Sequence, residues 1–405
     1  MKGFFAKTEL TTKAPPSLVP RCGECKLFES CLSPKIPVNG KGRKGILIIG
    51  EAPGEDEDKK GIPFVGRAGR LLSDALSKFG IEMRRDCWIT NAVICRPPKN
   101  ELKNHPKAID HCRPNVLNAI RELKPDKIIL LGASAIKSLI GWLWREDVGS
   151  VNRWIGWRIP CQKLNTWICP AWHPAYILRG NAGKQDDTMQ MLFEQHIEAA
   201  LQLEGKPYPD GPPDYASKVR MELDDEKAAN HLRLMIAFNK PVAFDYETDR
   251  LKPDREEAKI YSCAVSDGDS TIAFPWQGKV VEEMKVLLRS NVPKIIQNAK
   301  FEFRWTLAKL GIRMKNLIWD TMLAAHVLDN RSDSTGFKFQ AFINLGVDPW
   351  DEVISPYLKA KGGANEPNRI RELGMSTLLR YNGMDALLEW EVAQKQMIIM
   401  KGEGQ

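Results

Sequence analysis

The sequence predicts two α/β domains of similar size. In its first half, apolar runs alternate with amphipathic helical stretches, which is the pattern of a parallel sheet. In its second half, three predicted strands precede helical segments that start near Val280. Between the halves, "EGKPYPDGPPDYASK" (204–218) is rich in Pro and Gly and lacks apolar periodicity. We therefore expect a first domain over residues 1–204, a linker over 205–222 and a second domain over 223–405.

The first domain is expected to repeat a unit of strand, turn and helix. "KGILIIGEAPG" is a buried strand that enters a glycine-rich turn, and "GRAGRLLSDALSKFG" is the amphipathic helix after it. The later strands are "CWITNAVIC", "DKIILLG" and "NTWICPAWHP", and those of the second domain are "KPVAFDYET", "KIYSCAVSD" and "STIAFPW". In such a domain the functional groups lie in turns at the carboxyl ends of strands.

The composition is typical of a globular protein, and the uneven charge raises the question of a polyanionic partner. The chain has 405 residues, of which 43% are hydrophobic and 27% are charged. The start of the chain lacks a continuous apolar stretch, and the most apolar run (128–144) is too short for a membrane span, so a cytoplasmic location is expected. Residues 1–204 hold 31 Lys and Arg against 22 Asp and Glu. This excess favours nucleic acid as partner, although a merely basic surface explains it equally well.

The cysteines suggest a metal site. Nine cysteines in a reducing compartment should not form structural disulfides. Cys22 and Cys25 form a CxxC with Cys31 close behind, whereas Cys95 and Cys112 are each followed by Arg-Pro. A CxxC with two remote cysteines suits zinc or an iron–sulfur cluster, and spacing alone does not choose between them. The other cysteines are interpreted as small core residues: Cys87, Cys161, Cys169 and Cys263.

Five motifs of the first half occur in a specific order: "GEAPGEDED", "GIPFVGRAGRLL", "WITNAVICRPPKN", "DHCRP" and "WHPAYILR". Together they resemble the family 4 uracil-DNA glycosylases over about residues 20–180. The resemblance implies the uracil-DNA glycosylase fold, hydrolytic excision of uracil from DNA and a structural [4Fe–4S] cluster. The implied cluster ligands are Cys22, Cys25, Cys95 and Cys112. Cys31 lies outside the family pattern and stays open as a replacement for Cys25.

A glycosylase must extrude the base, recognise its edge and stabilise the departing uracil anion. Glu51, at a strand end, can position the attacking water or stabilise positive charge on the sugar. The resemblance gives catalytic weight to Glu51 and makes Glu57 a further candidate. The neighbouring Glu55, Asp56 and Asp58 are expected to form a solvated acidic loop.

Two aromatic or amide side chains are candidates for binding the base. The ring of Phe64 can stack on a flipped base, although an aromatic among apolar residues is usually core. Asn91 both donates and accepts hydrogen bonds, which suits the O4 and N3 edge of uracil. Within the motifs, we interpret both as substrate-binding residues.

The "WHPAYILR" motif supplies the remaining candidates. His173 can donate a hydrogen bond to uracil O2 as negative charge develops there, although a lone His is more often a core residue. Tyr176 or Ile177 can wedge into the space that the base leaves, and Arg179 can contact phosphate. Some relatives of this family bond covalently to DNA through a basic insertion after the "PFVG" motif. That insertion is missing here, so we expect an enzyme that turns over.

Acidic residues carry the chemistry of the second half. Asp245 and Glu247 stand two apart on a predicted strand and so share a face, as two-metal phosphoryl chemistry requires. "QNAKFEFRW" adds Glu302, and "RYNGMDALLEWEV" places Tyr381 four residues before Asp385. With "IWDTMLAAHVLD", these motifs resemble the 3′–5′ proofreading exonuclease domain of family A DNA polymerases, a ribonuclease H-like fold, over about residues 235–400.

That resemblance implies a metal-dependent site. Asp245, Glu247, Glu302 and Asp385 would hold two Mg²⁺ or Mn²⁺ ions, and Tyr381 would orient the attacking water. Glu302 departs from the family pattern, which has Asp at this position. Asp320, in "WDTM", is expected to support the site without ligating metal.

We therefore expect a bifunctional DNA-processing enzyme that excises uracil and trims 3′ ends. Because no polymerase motif is present, a separate DNA polymerase chain is a further expected partner, and a viral replication setting fits. The alternative is a uracil-sensing or DNA-binding module that does not cleave, with only the exonuclease active. Formation of an abasic product distinguishes the two hypotheses.

Overall fold

A computed structural model of the chain describes residues 19–144, 147–180, 187–360, 362 and 366–402. The strands are β1 (Ile46–Gly50), β2 (Cys87–Asn91), β3 (Lys127–Leu131), β4 (Ile159–Cys161), β5 (Thr166–Ala171), β6 (Val219–Met221), β7 (Val242–Thr248), β8 (Ile260–Ser266), β9 (Thr271–Pro275), β10 (Lys294–Ile296) and β11 (Leu317–Asp320). The helices of the first half are α1 (Cys22–Cys25), α2 (Glu55–Lys60), α3 (Arg67–Ser77), α4 (Met83–Asp86), α5 (Ala108–Leu123), α6 (Gly132–Trp144), α7 (Pro174–Gly180) and α8 (Asp187–Leu201). Those of the second half are α9 (Tyr215–Lys218), α10 (Asp225–Phe238), α11 (Gly278–Arg289), α12 (Ala299–Leu310), α13 (Thr321–Leu328), α14 (Phe337–Leu345), α15 (Ser355–Leu358) and α16 (Met375–Met400).

The described residues form two compact units. The first takes those up to Arg158 together with Thr166–Pro207, and the second takes Ile159–Asn165 and those from Tyr208 onward. Both units are α/β, which confirms the predicted fold class. None of the described helices has the length and apolar character needed to cross a bilayer. The start of the chain, where we expect no signal sequence, lies outside the described residues.

Four parallel strands in the order β2–β1–β3–β5 build the first unit. β1 and β3 are apolar along most of their length and fully buried, as interior strands of a parallel sheet are. Because all four strands run the same way, their carboxyl ends meet at one edge. Glu51 follows β1, Asn91 ends β2 and His173 comes two residues after β5, so these side chains belong to that edge.

A mixed six-stranded sheet in the order β11–β10–β7–β8–β9–β6 builds the second unit. β7, β8 and β9 are antiparallel neighbours, whereas β10 and β11 run parallel to β7. The long helix α16 packs along β7, β8 and β9. This mixed sheet with a helix across it is the predicted ribonuclease H-like arrangement. It places Asp245 and Glu247, on a central strand, near the helix that carries Asp385.

Part of the segment that we predicted as a linker is regular structure. Its Pro- and Gly-rich portion ends at Pro213, after which α9 and β6 form. β6 pairs in parallel with β9 and so extends the second sheet by one strand. A three-residue strand at a sheet edge carries too little periodicity for the sequence to reveal it.

Candidate active sites

A cavity of about 270 Å³ opens at the carboxyl ends of the first sheet. The sequence-predicted residues that line it together are Glu51, Glu57, Phe64, Asn91, His173 and Arg179. They come from four separate stretches of the chain, so the fold, and not proximity in sequence, assembles them. A cleft of this kind with a few convergent polar groups has the character of a small-molecule or base pocket.

His173 is held as a neutral imidazole of one tautomer. Its Nδ1 accepts a hydrogen bond from the backbone N–H of Ala175 at 3.1 Å. Burial lowers the pKa of His173, and Arg179 acts in the same direction, whereas Glu51 and Glu57 oppose them. When Nδ1 is the acceptor in a neutral ring, the proton lies on Nε2. The cavity wall therefore contains a neutral N–H donor.

Glu51 is oriented by a residue that the sequence did not point to. Its Oε2 accepts a hydrogen bond of 3.0 Å from Oγ of Ser134, in the first turn of α6. α6 starts at Gly132, whose φ is +81° and where a Cβ would lie 2.8 Å from the Cβ of His173. The turn after β3 thus needs glycine because it passes directly against the histidine.

Phe64 lies in a backbone conformation that is unusual for a bulky residue. Its φ is +55°, and the guanidinium of Arg84 donates to its carbonyl at 3.1 Å. The centroid of the Phe64 ring lies 6.2 Å from that of His173. A Cβ at Gly50 would come within 2.4 Å of the Phe64 ring and 2.5 Å of Asn91 Oδ1. Glycine at the end of β1 therefore lets both base-binding candidates approach.

The carboxylate of Glu57 is bonded to the loop that carries Phe64. Oε1 accepts the backbone N–H groups of Val65 at 2.9 Å and Gly66 at 2.7 Å, and Oε2 accepts that of Gly54 at 3.0 Å. Three hydrogen bonds to one ionised acceptor fix the loop strongly. These contacts define the rim of the cavity.

Of the two candidate wedges, Tyr176 is exposed and Ile177 is not. Ile177 is 1% exposed and packs in the core of the first unit, so it cannot wedge into DNA. Tyr176 is 48% exposed and stacks on Trp172 with centroids 5.1 Å apart.

The expectation that Asp58 lies in a solvated acidic loop is wrong. Asp58 is 1% exposed and accepts the backbone N–H of Ser33 at 2.9 Å. Its place among consecutive charged residues suggested solvent, but α2 turns this one side chain inward.

The four cysteines that we expected to ligate metal line one small cavity: Cys22, Cys25, Cys95 and Cys112. The rest of its wall is apolar except for His111. Four thiols around one cavity are the donor set of a tetrahedral zinc site or an iron–sulfur cluster. Cys31 is not part of this wall, and its Sγ donates instead to the carbonyl of Leu27 at 3.1 Å.

The surroundings of the cysteines favour bound thiolates. The backbone N–H of Lys35 donates to Cys95 Sγ at 3.3 Å, and Cys112 Sγ accepts from the N–H of Ile94 at 3.4 Å and the amide of Asn115 at 3.3 Å. Burial raises the pKa of Cys95 to about 12 and that of Cys112 to about 11. Burial alone thus keeps these thiols protonated, so the fit to a cluster rests on the four converging cysteines and on the N–H groups directed at sulfur. The site fits a cluster.

Three carboxylates converge in the second unit. Oxygens of Asp245, Glu247 and Asp385 all lie within 4.8 Å of one another. Alternation along β7 puts Asp245 and Glu247 on one face, and α16 brings Asp385 to them. Tyr381, one helical turn before Asp385, is 8% exposed. Clustered carboxylate oxygens are the ligands that Mg²⁺ and Mn²⁺ prefer.

Glu302 is close to this cluster but outside its three converging residues. It is 2% exposed on α12, and its Oε2 has no hydrogen-bond partner among the described residues. Glu389, one turn after Asp385, is 1% exposed with an equally orphaned Oε1. Burial raises the pKa of both, and the charge of Asp245 adds to the effect. Orphaned buried carboxylate oxygens beside three more acids fit a site built for cations.

The residues that hold these acids were not predicted from the sequence. Lys338 Nζ and Trp350 Nε1 both donate to Oδ1 of Asp385 at 2.6 Å. The amide of Asn382 donates to Oδ2 of Asp245 at 2.7 Å. Burial raises the pKa of Asp245 and Asp385, whereas Lys338 opposes it. Lys338 stands in "GFKFQ", which has no pattern beyond that of an ordinary helix.

Asp320 connects the starts of two helices in the second unit. Its carboxylate accepts the backbone N–H groups of Asn298 at 3.2 Å and Ala299 at 2.8 Å, where α12 begins. It also accepts those of Met322 at 2.9 Å and Leu323 at 3.2 Å, where α13 begins. One side chain thus caps both helices.

Comparisons with known proteins match the two halves of the chain to two different families. Residues 37–196 match the model of the uracil DNA glycosylase superfamily, and residues 221–395 match that of a 3′–5′ exonuclease family. The type-4 uracil-DNA glycosylase of Pyrobaculum aerophilum is 38% identical over 189 residues, which are 45% of this chain and 94% of that protein. That of Thermotoga maritima is 35% identical over 45% of this chain and 88% of its own length.

One similarity extends over both units. The DNA polymerase of Bacillus phage SP01 is 25% identical over 355 residues, which are 78% of this chain and 36% of that polymerase. This chain therefore spans about a third of the length of that relative.

Proposed function

The first half of this chain belongs to the type-4 uracil-DNA glycosylase family and its second half is a 3′–5′ exonuclease domain, and from this premise we propose two activities. The protein hydrolyses the N-glycosidic bond of uracil in DNA and removes nucleotides from 3′ ends. The observation that carries this proposal is the convergence of six separated residues on one cavity and of three carboxylates on another site.

In the glycosylase step, the flipped uracil stacks on Phe64 and pairs its O4 and N3 edge with the amide of Asn91. Water attacks C1′ while the bond from C1′ to N1 breaks, and uracil leaves as an anion. The Nε2–H of His173 donates to O2, where negative charge develops. Glu51 accepts the proton of the water and stabilises positive charge on the sugar. The neutral tautomer of His173 supports this role.

Two further residues have positioning roles in this proposal. Glu57, a catalytic candidate from the sequence, has in this proposal the role of holding the Phe64 loop through three backbone N–H groups. Ser134 orients the Glu51 carboxylate through its 3.0 Å hydrogen bond. Arg179, an exposed side chain that lines the cavity, contacts a phosphate of the bound strand.

Cys22, Cys25, Cys95 and Cys112 would hold a [4Fe–4S] cluster that crosslinks the N-terminal segment to α5. The cluster supplies structural bonding and no step of the hydrolysis. The shared cavity and the N–H groups directed at sulfur support this assignment, with Cys31 outside it. Protein purified without oxygen should be brown, with absorbance near about 400 nm. Colourless protein with stoichiometric zinc would overturn the assignment.

In the exonuclease step, Asp245, Glu247, Asp385 and Glu302 would hold two divalent ions, which supply Lewis-acid stabilisation of the transferring phosphoryl group. Tyr381 orients the attacking water. A cavity of about 540 Å³ adjoins Glu247 and is lined by Phe301 and Asn368 among others, which suits a 3′-terminal nucleotide.

A polymerase partner is also part of the proposal. The similarity to a phage DNA polymerase covers both halves of this chain but only 36% of that protein. We infer that the exonuclease trims ends made by a DNA polymerase chain in replication or repair. Faster removal of a mismatched 3′ nucleotide during synthesis by an added polymerase would support this, and an unchanged misincorporation rate would count against it.

The glycosylase proposal is tested with a 5′-labelled oligonucleotide that contains one internal uracil. The protein is incubated with it in EDTA, and the product is then treated with hot alkali. EDTA silences the exonuclease, so scission at the uracil establishes a metal-independent glycosylase. An intact strand, with the cluster present, would favour the alternative of a uracil-sensing module that does not cleave.

A further inference from the structure

We propose that Lys338 binds the phosphate of the 3′-terminal nucleotide in the exonuclease site. This inference rests on the proposed exonuclease function and adds to it a substrate-binding residue outside the acidic set. Its basis is the position of the Lys338 ammonium, its remaining hydrogen-bond donors and the charge of its surroundings.

The ammonium of Lys338 is held at the carboxylate cluster from two sides. Nζ donates to Asp385 Oδ1 at 2.6 Å, and it lies 3.6 Å from the ring centroid of Trp350 and 4.5 Å from that of Tyr381. Phe337 adds a third ring at 5.5 Å. Aromatic faces attract a cation through the ring quadrupole and do not accept a conventional hydrogen bond from it. Asp385 and the three rings therefore fix the position of Nζ, and Asp385 is the group among them that accepts a conventional hydrogen bond from it.

An ammonium has three N–H donors, and Asp385 takes one. Among the described residues, no other acceptor is bonded to Lys338 Nζ, so two donors remain for a ligand. Lys338 is also the cation whose charge acts on Asp245, Glu247 and Asp385 alike. It thus lies where an anionic substrate would meet the acids.

The charge of the site favours such a group, which would add to the positive charge of the two divalent ions proposed there. Asp245, Glu247 and Asp385 together with the nearby Glu302 and Glu389 repel a phosphodiester, which is itself an anion. A lysine beside Tyr381 can donate to a non-bridging phosphate oxygen while it still holds Asp385. Its distance to the Tyr381 ring places that phosphate beside the residue expected to orient the water.

The test compares thymidine 5′-monophosphate with thymidine, which lacks the phosphate, by calorimetry in Mg²⁺. For Lys338→Met we expect binding of the monophosphate to weaken by about tenfold to a hundredfold, while thymidine binding is unchanged. Lys338→Arg should keep most of the phosphate increment. Lys240→Met is the matched control, because Lys240 is an exposed lysine of the same unit that pairs with Asp269 at 3.0 Å.

Mn²⁺ affinity, measured by electron paramagnetic resonance, separates phosphate binding from a structural role. Removal of a positive charge from the cluster should leave Mn²⁺ binding to Lys338→Met unchanged or tighter. Weaker Mn²⁺ binding, or equal losses for monophosphate and nucleoside, would mean that Lys338 only shapes Asp385 and would overturn the proposal. If the Met variant does not fold, Lys338→Gln gives the same comparison.

The binding measurements on Lys338 can fail or succeed separately from the proposed exonuclease activity. Wild-type protein that binds the monophosphate through Lys338 but does not degrade DNA would refute the exonuclease function and leave this inference standing. Wild-type protein that degrades DNA while Lys338→Met binds the monophosphate normally would refute the inference alone.

Discussion

The two sites of this chain differ in how their functional side chains are held in place. The cavity of the first unit is assembled from neutral or singly charged groups whose hydrogen bonds are made within the protein, such as Glu57 to its loop and His173 to Ala175. The site of the second unit gathers buried acids, two of which keep an orphaned oxygen. The groups of the first site are hydrogen-bonded within the protein, and the second site would be completed by the cations that we propose there. Burial accordingly lowers the pKa of the histidine and raises that of the acids.

Chelation gives the largest expected difference between the sites. In EDTA the exonuclease activity should fall to background, because the acids have no other source of positive charge sufficient for phosphoryl transfer. Uracil excision should be unchanged, because its groups are all supplied by the chain. Parallel assays on one oligonucleotide, with Mg²⁺ restored as the control, measure both. Loss of uracil excision in EDTA, with the cluster absorbance intact, would contradict the comparison.

Single substitutions should separate the activities nearly as well. His173→Ala removes the N–H donor to the uracil anion and should lower excision by about 10²–10³-fold without affecting the exonuclease. Asp245→Ala removes a shared metal ligand and should abolish the exonuclease without affecting excision. Single-turnover rates of both reactions for both variants test this. Loss of both activities in either variant would show that the two sites are not independent.

Glu57→Ala tests whether the first site is organised by its loop. Three backbone N–H groups lose their acceptor, so we expect the first unit to melt about 3–10 °C lower and excision to slow through a displaced Phe64. Glu55→Ala is the control, because Glu55 is an exposed acid of the same helix that forms ion pairs with Lys59 and Arg96 and does not bond the Phe64 loop. An unchanged melting temperature with slower excision would instead assign Glu57 to the chemistry.

The smallest expected effect concerns pH. His173 must be neutral for its Nδ1 to accept the N–H of Ala175. Because burial lowers the pKa of His173, the ring stays neutral at pH values somewhat below the ordinary histidine pKa of about 6.5. The folded state then binds fewer protons than the unfolded state, and the contribution of His173 to stability is lost as the pH falls. Excision rates in EDTA should therefore hold at pH 6.5 and decline only below it. A decline centred above pH 6.5 would mean that the histidine is not shielded.

The first site was largely predictable because parallel strands bring their carboxyl ends to one edge. Glu51, Asn91 and His173 each follow or end a strand that its apolar run makes visible. Ser134 was not predictable, because a serine in the first turn of a helix is commonplace and only the 3.0 Å contact reveals its partner. The burial of Asp58 was not predictable either, because it depends on the angle of the short helix α2.

The second site was predictable only in its acids. The spacing of Asp245 and Glu247 expresses the alternation of a strand, and that of Tyr381 and Asp385 expresses a helical turn. Lys338 and Trp350 reach the same acid from α14 and the loop after it, and their spacing follows neither period. Such contacts depend on how helices pack on a sheet, which no local pattern encodes.

Asp320 has a consequence for how this exonuclease site can evolve. Because one carboxylate caps both α12 and α13, the start of the helix that carries Glu302 is set by the backbone and by Asp320. A longer or shorter acid at position 302 therefore changes the reach of the side chain without displacing its helix. An aspartate at position 302 would therefore start from the same helix as the present glutamate and would extend less far from it.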